Sequence, residues 1–336
     1  MQVKGLVLKY IVGVDIGATN LRIALATNKG ELIHKTTIPT PRKGDELTIA
    51  ETIRDLINKM IHDKGIEIEE LKGIGIGSIG PLDIRKGKVI NAPNIPIHSF
   101  ELLRPLKDWF KIPIYVVNDC VAAVWGELIF GAGRSYQNIV YVTLSTGIGA
   151  GAIVNGNLLL GKDGNAHEVG HIVIDYESKL RCRCGGYGHW EAYASGANIQ
   201  KFINYLLSKW SLTTQERNSE LYKAYEERKV TTELLFSLGK RKDPLALRII
   251  DELGRINACG IASVINVYDP ELLTLGGSIS LNNPNLVLNP ILKYIDMYVI
   301  NRKPLIKLTP LGHDVVLLGA IALVVSTPHT LVNIQA

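Results

Sequence analysis

The stretch Ile11-Val12-Gly13-Val14-Asp15-Ile16-Gly17-Ala18-Thr19-Asn20 decides the fold, because it predicts a buried strand that ends in a tight polar turn. Leu21–Thr27 predicts the returning strand of a hairpin. A similar pattern returns later in the chain, where Ile139–Leu144 leads into Ser145-Thr146-Gly147-Ile148-Gly149-Ala150-Gly151 and Ala152–Val154 returns. Each half of the chain therefore opens with a hydrophobic strand, a turn of small residues and a second strand.

These two turns predict a binding site for phosphate groups. Turns of this kind expose backbone N–H groups and hydroxyls that can bind an anion. Either turn alone also fits an ordinary hairpin, but two of them could grip the two ends of a polyphosphate. Asp15 ends the first strand, where a Mg²⁺ ligand or a water-bridging carboxylate belongs. The alternative is an aspartate that only bonds its own turn backbone.

The segment Cys182-Arg183-Cys184-Gly185-Gly186-Tyr187-Gly188-His189 has the residues of a metal clip. Two cysteines one residue apart are poorly placed for a relaxed disulfide. The same thiolates can reach a tetrahedral Zn²⁺, with His171 and His189 as the other two ligands. The alternative is a glycine-rich surface loop with stray cysteines. Because Glu168 and Glu191 lie beside these ligands, a bound metal would also fix two carboxylates in a binding site.

Three further segments carry polar or small residues at chain reversals. Asn118-Asp119 follows a short strand and precedes a helix from about Cys120 to Phe130, so it fits either helix capping or a general base at the end of a sheet. Asn91 and Asn94 fit either turn residues or groups that face a polar ligand. Gly276-Gly277 ends a strand and allows close approach of the backbone to a flat ligand.

The remaining chain predicts mostly helices. The stretch from 208 to 242 is polar and suggests no chemistry, and residues 87–96 look too irregular for regular structure. The predicted helices and the further predicted strand are Leu47–Asp63, Ser195–Trp210, Thr231–Leu238, Asp243–Tyr268, Val315–Ser326 and the strand Gly73–Gly77.

Composition excludes several classes of protein. The chain has 336 residues, which is enough for two domains, and 46% of them are hydrophobic. The net charge of +5 comes without a run of basic residues, so we expect no nucleic-acid partner. Two of the four cysteines lie in the clip and the others stand apart, which favours a reducing compartment. We expect a cytoplasmic protein without a signal peptide or a membrane span.

Together the motifs resemble the ROK family of sugar kinases, repressors and related proteins, over nearly the whole chain. The zinc-and-glutamate signature is the most specific part of this resemblance, whereas the hairpin turns alone suggest only the wider actin-like ATPase superfamily. The motifs, in chain order, are Asp15-x-Gly17-x-Thr19-Asn20, Asn118-Asp119, Ser145-Thr146-Gly147-Ile148-Gly149, Glu168-x-Gly170-His171, Cys182-x-Cys184-Gly185-x-x-Gly188-His189-x-Glu191, Gly276-Gly277 and Leu318-Gly319-Ala320.

The resemblance implies an α/β fold of two actin-like (ribonuclease H-like) ATPase domains, with ATP and a sugar in the cleft between them. It implies a small domain over 1–118, completed by a helix at about 315–336. The large domain, 119–314, would carry the zinc clip and the helical insert. A homo-oligomer, dimer or tetramer, is also implied.

The resemblance also implies a role for each motif. Asp119 would be the general base that takes a proton from the sugar hydroxyl. His171, Cys182, Cys184 and His189 would hold structural Zn²⁺, and His171 would also reach the sugar through its second ring nitrogen. The other sugar contacts would be Asn94, Asn118, Glu168 and Glu191. The residues around Mg²⁺-ATP would be Asp15, Gly17, Thr19, Asn20, Thr146 and Gly147 at the phosphates, and Gly276 and Gly277 at the adenosine.

Three positions depart from the family pattern. His189 stands where the family has a third clip cysteine, which zinc tolerates. Ile79 replaces a proline in a Gly-x-Pro-Gly-Pro turn. Asn94-Ile95-Pro96-Ile97-His98 lacks the usual Gly-Trp, which bears on sugar preference.

The resemblance implies an ATP-dependent hexokinase or glucokinase, with the 6-hydroxyl of glucose as the expected acceptor. An N-acylhexosamine kinase, for N-acetylmannosamine or N-acetylglucosamine, and a fructokinase are the alternatives within this chemistry. Sugar-responsive repressors of the family carry an N-terminal helix-turn-helix, whereas here the first strand begins near residue 11. A non-catalytic sugar-binding or zinc-binding module disagrees with the presence of both phosphate turns and Asp119.

Overall fold

The computed structural model describes residues 9–92 and 95–335, so the predicted sugar contact Asn94 lies outside the described residues. The strands are β1 Tyr10–Ile16, β2 Asn20–Thr27, β3 Leu32–Pro39, β4 Leu71–Ser78, β5 Leu82–Asp83, β6 Lys88–Val89, β7 Phe100–Glu101, β8 Ile114–Asn118, β9 Ile139–Leu144, β10 Ile148–Val154, β11 Asn157–Leu158, β12 Leu272–Gly276 and β13 Leu305–Leu308. The α-helices are α1 Thr48–Lys64, α2 Leu103–Phe110, α3 Asp119–Ile129, α4 Trp190–Ala194, α5 Ile199–Lys209, α6 Thr214–Arg217, α7 Glu220–Glu226, α8 Thr232–Lys240, α9 Pro244–Tyr268, α10 Gly277–Asn282, α11 Pro284–Tyr294, α12 Val315–Val325 and α13 His329–Gln335.

Two five-stranded sheets repeat one topology. The first has the order β3-β2-β1-β4-β8, and the second has the order β11-β10-β9-β12-β13. In the first sheet β2 is antiparallel to β1 and β3, whereas β4 is parallel to β1 and β8. In the second sheet β12 and β13 are likewise parallel. The repeat confirms the duplication expected from the two hairpins and, with it, the actin-like α/β fold.

The chain divides into two compact units, each built from separated segments. Unit one contains residues 1–141, 151–167 and 309–336, and unit two contains residues 142–150 and 168–308. The C-terminal helices α12 and α13 group with unit one. Residues 119–141 and 151–167 group with unit one here, whereas the expected boundary stood at residue 118, and that boundary stays a prediction.

The core of unit one depends on close backbone contact between α12 and the first sheet. The sequence of α12 is apolar all round, and most of the helix is buried. A Cβ atom added at Gly75 of β4 would lie 1.8 Å from the carbonyl oxygen of Ala320. One added at Gly319 would lie 1.9 Å from the carbonyl oxygen of Ala122 in α3. Small residues therefore let α12 touch β4 and α3 backbone to backbone.

Two sequence predictions of structure were wrong. Residues 87–96 were expected to lack regular structure, but Val89 of β6 pairs with Leu82 on one side and Phe100 on the other. The helix expected over Ser195–Trp210 begins only at Ile199, as α5, and the short helix α4 lies before the expected range. Asn198 holds the turn between the two helices, because its buried amide donates to the Glu191 carbonyl oxygen at 3.1 Å and to the Ser195 hydroxyl at 2.9 Å. The α4 helix therefore begins at Trp190 and contains Glu191.

In the described ranges no single helix is both long and apolar enough to cross a membrane. Gly312–Val325 and His329–Gln335 reach that length and apolar character only when they are taken together, and they are bent by 80° relative to each other.

Candidate active site

The first predicted phosphate turn, between β1 and β2, is held by its own backbone. Gly17 N–H donates to the Asn20 carbonyl oxygen at 2.9 Å, and the Thr40 hydroxyl donates to the Gly17 carbonyl oxygen at 2.7 Å. Thr19 and Asn20 are exposed. The turn is therefore fixed from within while its polar side chains face outward, as a phosphate-binding turn requires.

Asp15 is buried at the end of β1 and pairs with Arg22, which lies directly opposite on β2. Burial raises the pKa of Asp15 to about 6, Arg22 opposes this rise, and the neighbouring Asp119 carboxylate adds to it. Arg22 also donates to the His313 carbonyl oxygen at 2.6 Å. Arg22 was not predicted as a partner of Asp15 from the sequence. The hairpin register was the available signal, because a symmetrical turn places residue 22 across from residue 15.

Asn118 and Asp119 lie where β8 leads into α3. The Asn118 side chain caps the helix by accepting a hydrogen bond from Cys120 N–H at 2.8 Å, which confirms the capping interpretation for this residue. An Asp119 carboxylate oxygen accepts from the same N–H at 2.8 Å. Asp119 is therefore oriented by the helix start, and it lies close enough to Asp15 to influence its pKa.

The second predicted phosphate turn, between β9 and β10, is held from two sides. Ser145 N–H donates to the Gly147 carbonyl oxygen at 3.0 Å, and Ala197 N–H donates to the Thr146 carbonyl oxygen at 3.1 Å. The side chain of Thr146 is exposed. The Ser145 and Ser278 hydroxyls lie 3.1 Å apart, so this turn lies next to the start of α10.

Gly276 and Gly277 form a strand-to-helix junction, with α10 beginning at Gly277. Gly277 has a φ of +84°, and a Cβ atom there would lie 2.4 Å from the Leu144 carbonyl oxygen. The close backbone approach at Gly277 is therefore to β9 of the protein itself, and the approach to a flat ligand stays a prediction.

The four predicted zinc ligands come together. One ligand atom from each of His171, Cys182, Cys184 and His189 lies within 4.8 Å of all the others. The Cys184 sulfur is 3.3 Å from Nδ1 of His189. Gly185 and Gly188 have φ values of +99° and +68°, which lets the loop fold back between the ligands. Two thiols and two imidazoles at this spacing fit a tetrahedral Zn²⁺.

Protonation of the clip side chains competes with metal binding. Burial raises the pKa of Cys182 to about 11, so without a metal this thiol keeps its proton. The hydrogen bond with Glu168 raises the pKa of His171, and burial lowers the pKa of His189. A cation that binds here must displace the Cys182 proton, so the affinity will rise with pH.

Both predicted glutamates lie against the clip. One carboxylate oxygen of Glu168 is 3.3 Å from Nδ1 of His171. Glu191 accepts from Ile148 N–H at 2.9 Å with one oxygen, and its other oxygen is 3.9 Å from the Cys182 sulfur. Glu191 therefore connects the clip to the strand that follows the second phosphate turn, a connection that the sequence analysis missed.

Two similar turns of the phosphate-binding type, with a carboxylate at the end of a strand, are typical of an actin-like α/β phosphotransferase. The metal clip narrows the choice of family within this class of protein. The model of the ROK family matches residues 11–327, and the chain belongs to that family. A glucokinase of Pyrobaculum calidifontis is 41% identical over 323 residues, which are 96% of this chain and 97% of the relative.

Two solved structures are similar over nearly their full length. A ROK hexokinase from Thermus thermophilus is 29% identical with a TM-score of 0.77, and the match covers 96% of this chain and 99% of that chain. A ROK family glucokinase from Streptomyces griseus, in complex with glucose and AMPPNP, is 28% identical with a TM-score of 0.76. Its match covers 94% of this chain and 98% of that chain.

Proposed function

We propose that this protein is an ATP-dependent glucokinase that transfers the γ-phosphoryl group of ATP to the 6-hydroxyl of glucose. The observation that carries the proposal is the position of Asp119, which starts α3 within electrostatic reach of Asp15 beside the first phosphate turn. A base and a phosphate-binding turn in one unit are the two groups that phosphoryl transfer to an alcohol needs. The glucokinase name of the 41% identical relative supports glucose as the acceptor.

Asp119 acts as the general base. Its carboxylate takes the proton of the attacking hydroxyl as the bond to phosphorus forms, so the alkoxide never builds up full charge. The hydrogen bond from Cys120 N–H holds the carboxylate in one orientation before the sugar binds. Such prior orientation is the main way in which a protein accelerates a reaction with little covalent chemistry of its own.

The proposed sugar contacts are polar side chains. Asn118 uses its amide oxygen for the helix cap, and its amide N–H groups would donate to the sugar. Glu191 accepts from Ile148 N–H with one oxygen, and its other oxygen, which lies 3.9 Å from the Cys182 sulfur, would accept from a sugar hydroxyl. Glu168, His171 and Asn94 complete the proposed set of sugar contacts.

The nucleotide is held by the two turns. Gly17, Thr19 and Asn20 offer N–H groups and hydroxyls to one end of the triphosphate, and Thr146 and Gly147 offer theirs to the other. Gly276 and Gly277 lie beside the adenosine. Mg²⁺ arriving with ATP would neutralise phosphate charge, and Asp15 is the residue that would hold that ion or its water.

The clip would hold structural Zn²⁺ through His171, Cys182, Cys184 and His189. These four ligands would leave the ion a cross-linking role and no acid–base chemistry. Its effect reaches the substrate through Glu168 and Glu191, which lie against its ligands. A reducing, cytoplasmic setting belongs to the proposal, since the two clip thiols must stay reduced.

The experiment that tests this function is a coupled ADP-release assay with Mg-ATP. The sugars are glucose, mannose, fructose, glucosamine, N-acetylglucosamine and N-acetylmannosamine. We expect the highest kcat/KM with glucose. Turnover only with an N-acylhexosamine, or only with fructose, would show that this sugar and not glucose is the acceptor. No turnover with any of the six, in protein shown to contain zinc, would refute the kinase.

A further inference from the structure

Gln335, at the end of α13, buries its side-chain amide against the strand that leads to Asp119. Its side chain is buried although the residue is polar. Its amide oxygen accepts from Val116 N–H at 3.0 Å, and its amide nitrogen donates to the Val116 carbonyl oxygen at 2.7 Å. The same nitrogen donates to the Ile84 carbonyl oxygen at 2.8 Å. Both N–H groups of this amide are therefore used, and its oxygen has a partner.

This contact completes an open edge of the first sheet. β8 is the last strand in the order β3-β2-β1-β4-β8, and it pairs with β4 on one side only. In a parallel pair alternate residues direct their N–H and C=O groups to the neighbouring strand, so every second residue of an edge strand points these groups outward. Val116 is such a residue, and the Gln335 amide takes the place of the missing strand.

β8, which is held at Val116, has little freedom to move just before Asn118 and Asp119. Val116 lies two residues before Asn118 and three before Asp119, and β8 continues into α3 without a connecting loop. The Gln335 backbone is anchored in turn, because its carbonyl oxygen accepts a hydrogen bond from Lys107 of α2. Movement of the outer edge of β8 would therefore move the start of α3.

We propose that Gln335 is a positioning residue for the phosphoryl transfer, which holds Asp119 in place through the outer edge of β8. The proposal rests on the proposed function of Asp119. In the proposed role Gln335 contacts neither the substrate nor the reacting atoms. It acts by keeping the end of β8 at the position where the base can reach the sugar hydroxyl, since misplacement of a reacting group by about 1 Å can cost on the order of 100-fold in rate.

The first test is hydrogen exchange at Val116 N–H in the full-length protein without ligands. Gln335→Met keeps the length and helix preference of the side chain but removes all three hydrogen bonds. We expect Val116 N–H to exchange about tenfold faster, since its acceptor is lost. Unchanged exchange at Val116 would overturn the clamp on β8, whether or not the protein is active.

The second test is steady-state kinetics on the same variant. We expect Gln335→Met to lower kcat with glucose about tenfold while KM for Mg-ATP stays within about twofold, because the nucleotide contacts are elsewhere. Gln335→Asn keeps the amide on a shorter stem and should fall between wild type and Gln335→Met. If Gln335→Met does not fold, Gln335→Asn decides: wild-type kcat in a variant with fast Val116 exchange would overturn the proposal.

A matched control separates positioning from general loss of stability. Ile57→Val in α1 removes one buried methyl group from the core of unit one and touches no proposed site residue. It should lower the melting temperature but leave kcat unchanged. An equal loss of kcat in Ile57→Val would overturn the proposal. Absence of glucose turnover in the wild type would refute the proposed function instead, and the exchange result would still decide the contact.

Discussion

Asp15 and Asp119 show how one buried neighbourhood gives two carboxylates different tasks. Asp15 is shielded from water and paired with Arg22, whereas Asp119 is oriented by the first turn of α3. Arg22 compensates part of the charge on Asp15, and this limits the repulsion that two nearby carboxylates would otherwise exert. In the proposed mechanism this arrangement would keep Asp15 beside the phosphates and Asp119 beside the attacking hydroxyl.

Replacement of Asp119 tests the proposed base directly. Asp119→Asn keeps the shape of the side chain and its oxygen toward Cys120 N–H, but it cannot take a proton. We expect kcat to fall by roughly 10²–10⁴-fold with little change in glucose affinity. Coupled-assay kinetics and glucose titration by calorimetry measure the two quantities. The matched control is Asp108→Asn, which changes an exposed carboxylate on α2. Near-normal turnover of Asp119→Asn would show that Asp119 is not the general base.

The raised pKa of Asp15 predicts a pH-dependent stability. Its folded value of about 6 lies above its ordinary value of 3.8, so the folded chain binds this proton more tightly than the unfolded chain. The favourable contribution of Asp15 is complete below pH 3.8 and is lost as the pH rises through 6. Asp15→Asn lacks this titration, so it should gain about 2–3 kcal/mol relative to wild type between pH 4 and 7.

Urea unfolding without Mg²⁺ at several pH values measures that difference. Asp15→Asn also removes the charged partner of Arg22, which changes the free energy of unfolding at every pH. The informative quantity is therefore how the difference in free energy of unfolding between variant and wild type changes with pH. A difference that stays constant from pH 4 to pH 7 would mean that Asp15 is not perturbed by burial.

At this scale the sequence predicted the positions of these residues in the fold better than it predicted their partners. Asp15, Asn118 and Asp119 stand where the strand and helix patterns placed them. The Asp15–Arg22 pair and the Gln335–Val116 contact were not predicted. The first depends on hairpin register, and the second joins residues 219 positions apart. No local spacing rule reports a contact of that kind.

The predicted metal clip is the element against which the proposed sugar contacts Glu168 and Glu191 lie. Its loop is short and glycine-rich, and little apolar burial holds Cys184 or Tyr187, which are exposed. Tyr193 supports the loop from α4, because its hydroxyl bonds Asp175 and accepts from Leu180 N–H at 3.1 Å. A metal ion would supply the remaining constraint.

Loss of one clip thiolate therefore has a defined expected result. Cys182→Ser should weaken zinc binding by more than about 100-fold, because even the outer partners of metal ligands are worth 10- to 100-fold. The melting temperature and the glucose affinity should fall with it, since Glu191 lies against Cys182. Metal analysis, differential scanning calorimetry and glucose titration give the three readings.

Cys259→Ser provides the control, because Cys259 is a half-buried cysteine of α9 outside the clip. It should retain one zinc per chain. One zinc per chain in Cys182→Ser as well would show that the clip does not hold the metal.

Elements with a clear apolar pattern were predicted closely, and short irregular ones were not. The expected helix Asp243–Tyr268 is Pro244–Tyr268, capped by Asp243 as a proline-started helix usually is. The start of α5 was placed at Ser195 instead of Ile199, because the turn held by the buried amide of Asn198 looks helical in the sequence. β6 was missed because two residues have no visible period.

For the whole molecule, the repeated strand order explains why one resemblance covers so much of the chain. The strand patterns at residues 11–27 and 139–154 predicted the duplication, and the two sheets confirm it. The units themselves could not be delimited from the sequence, because each is assembled from separated segments. Boundaries of that kind leave no linker of distinct composition.

We expect a homo-oligomer, and unit two exposes an apolar surface that suits one. Val267, Met297 and Ile300 are 70%, 64% and 89% exposed. Asn266 bonds Ile300 N–H and the Tyr298 carbonyl oxygen, both at 3.0 Å, and so holds this surface together. Light scattering should give a multiple of 36.9 kDa, and Ile300→Glu should lower the assembled fraction.

Leu32→Glu, at a 41% exposed position of β3 in unit one, should leave the mass unchanged. A monomeric mass for the wild type at tens of micromolar would contradict the expectation. If Ile300→Glu leaves the multimer intact, the interface between subunits lies on another surface.

The position of α12 in the chain has a consequence for biosynthesis. The face of the first sheet that α12 covers includes Ile11, Ala24 and Ala26, which are made about 300 residues before Leu317 and Ile321. During translation that face must stay without its partner until the ribosome has passed residue 325. Nascent chains in this state expose apolar surface, which is the substrate of chaperones. Translation speed and chaperone supply should therefore govern the yield of this protein more strongly than its final stability does.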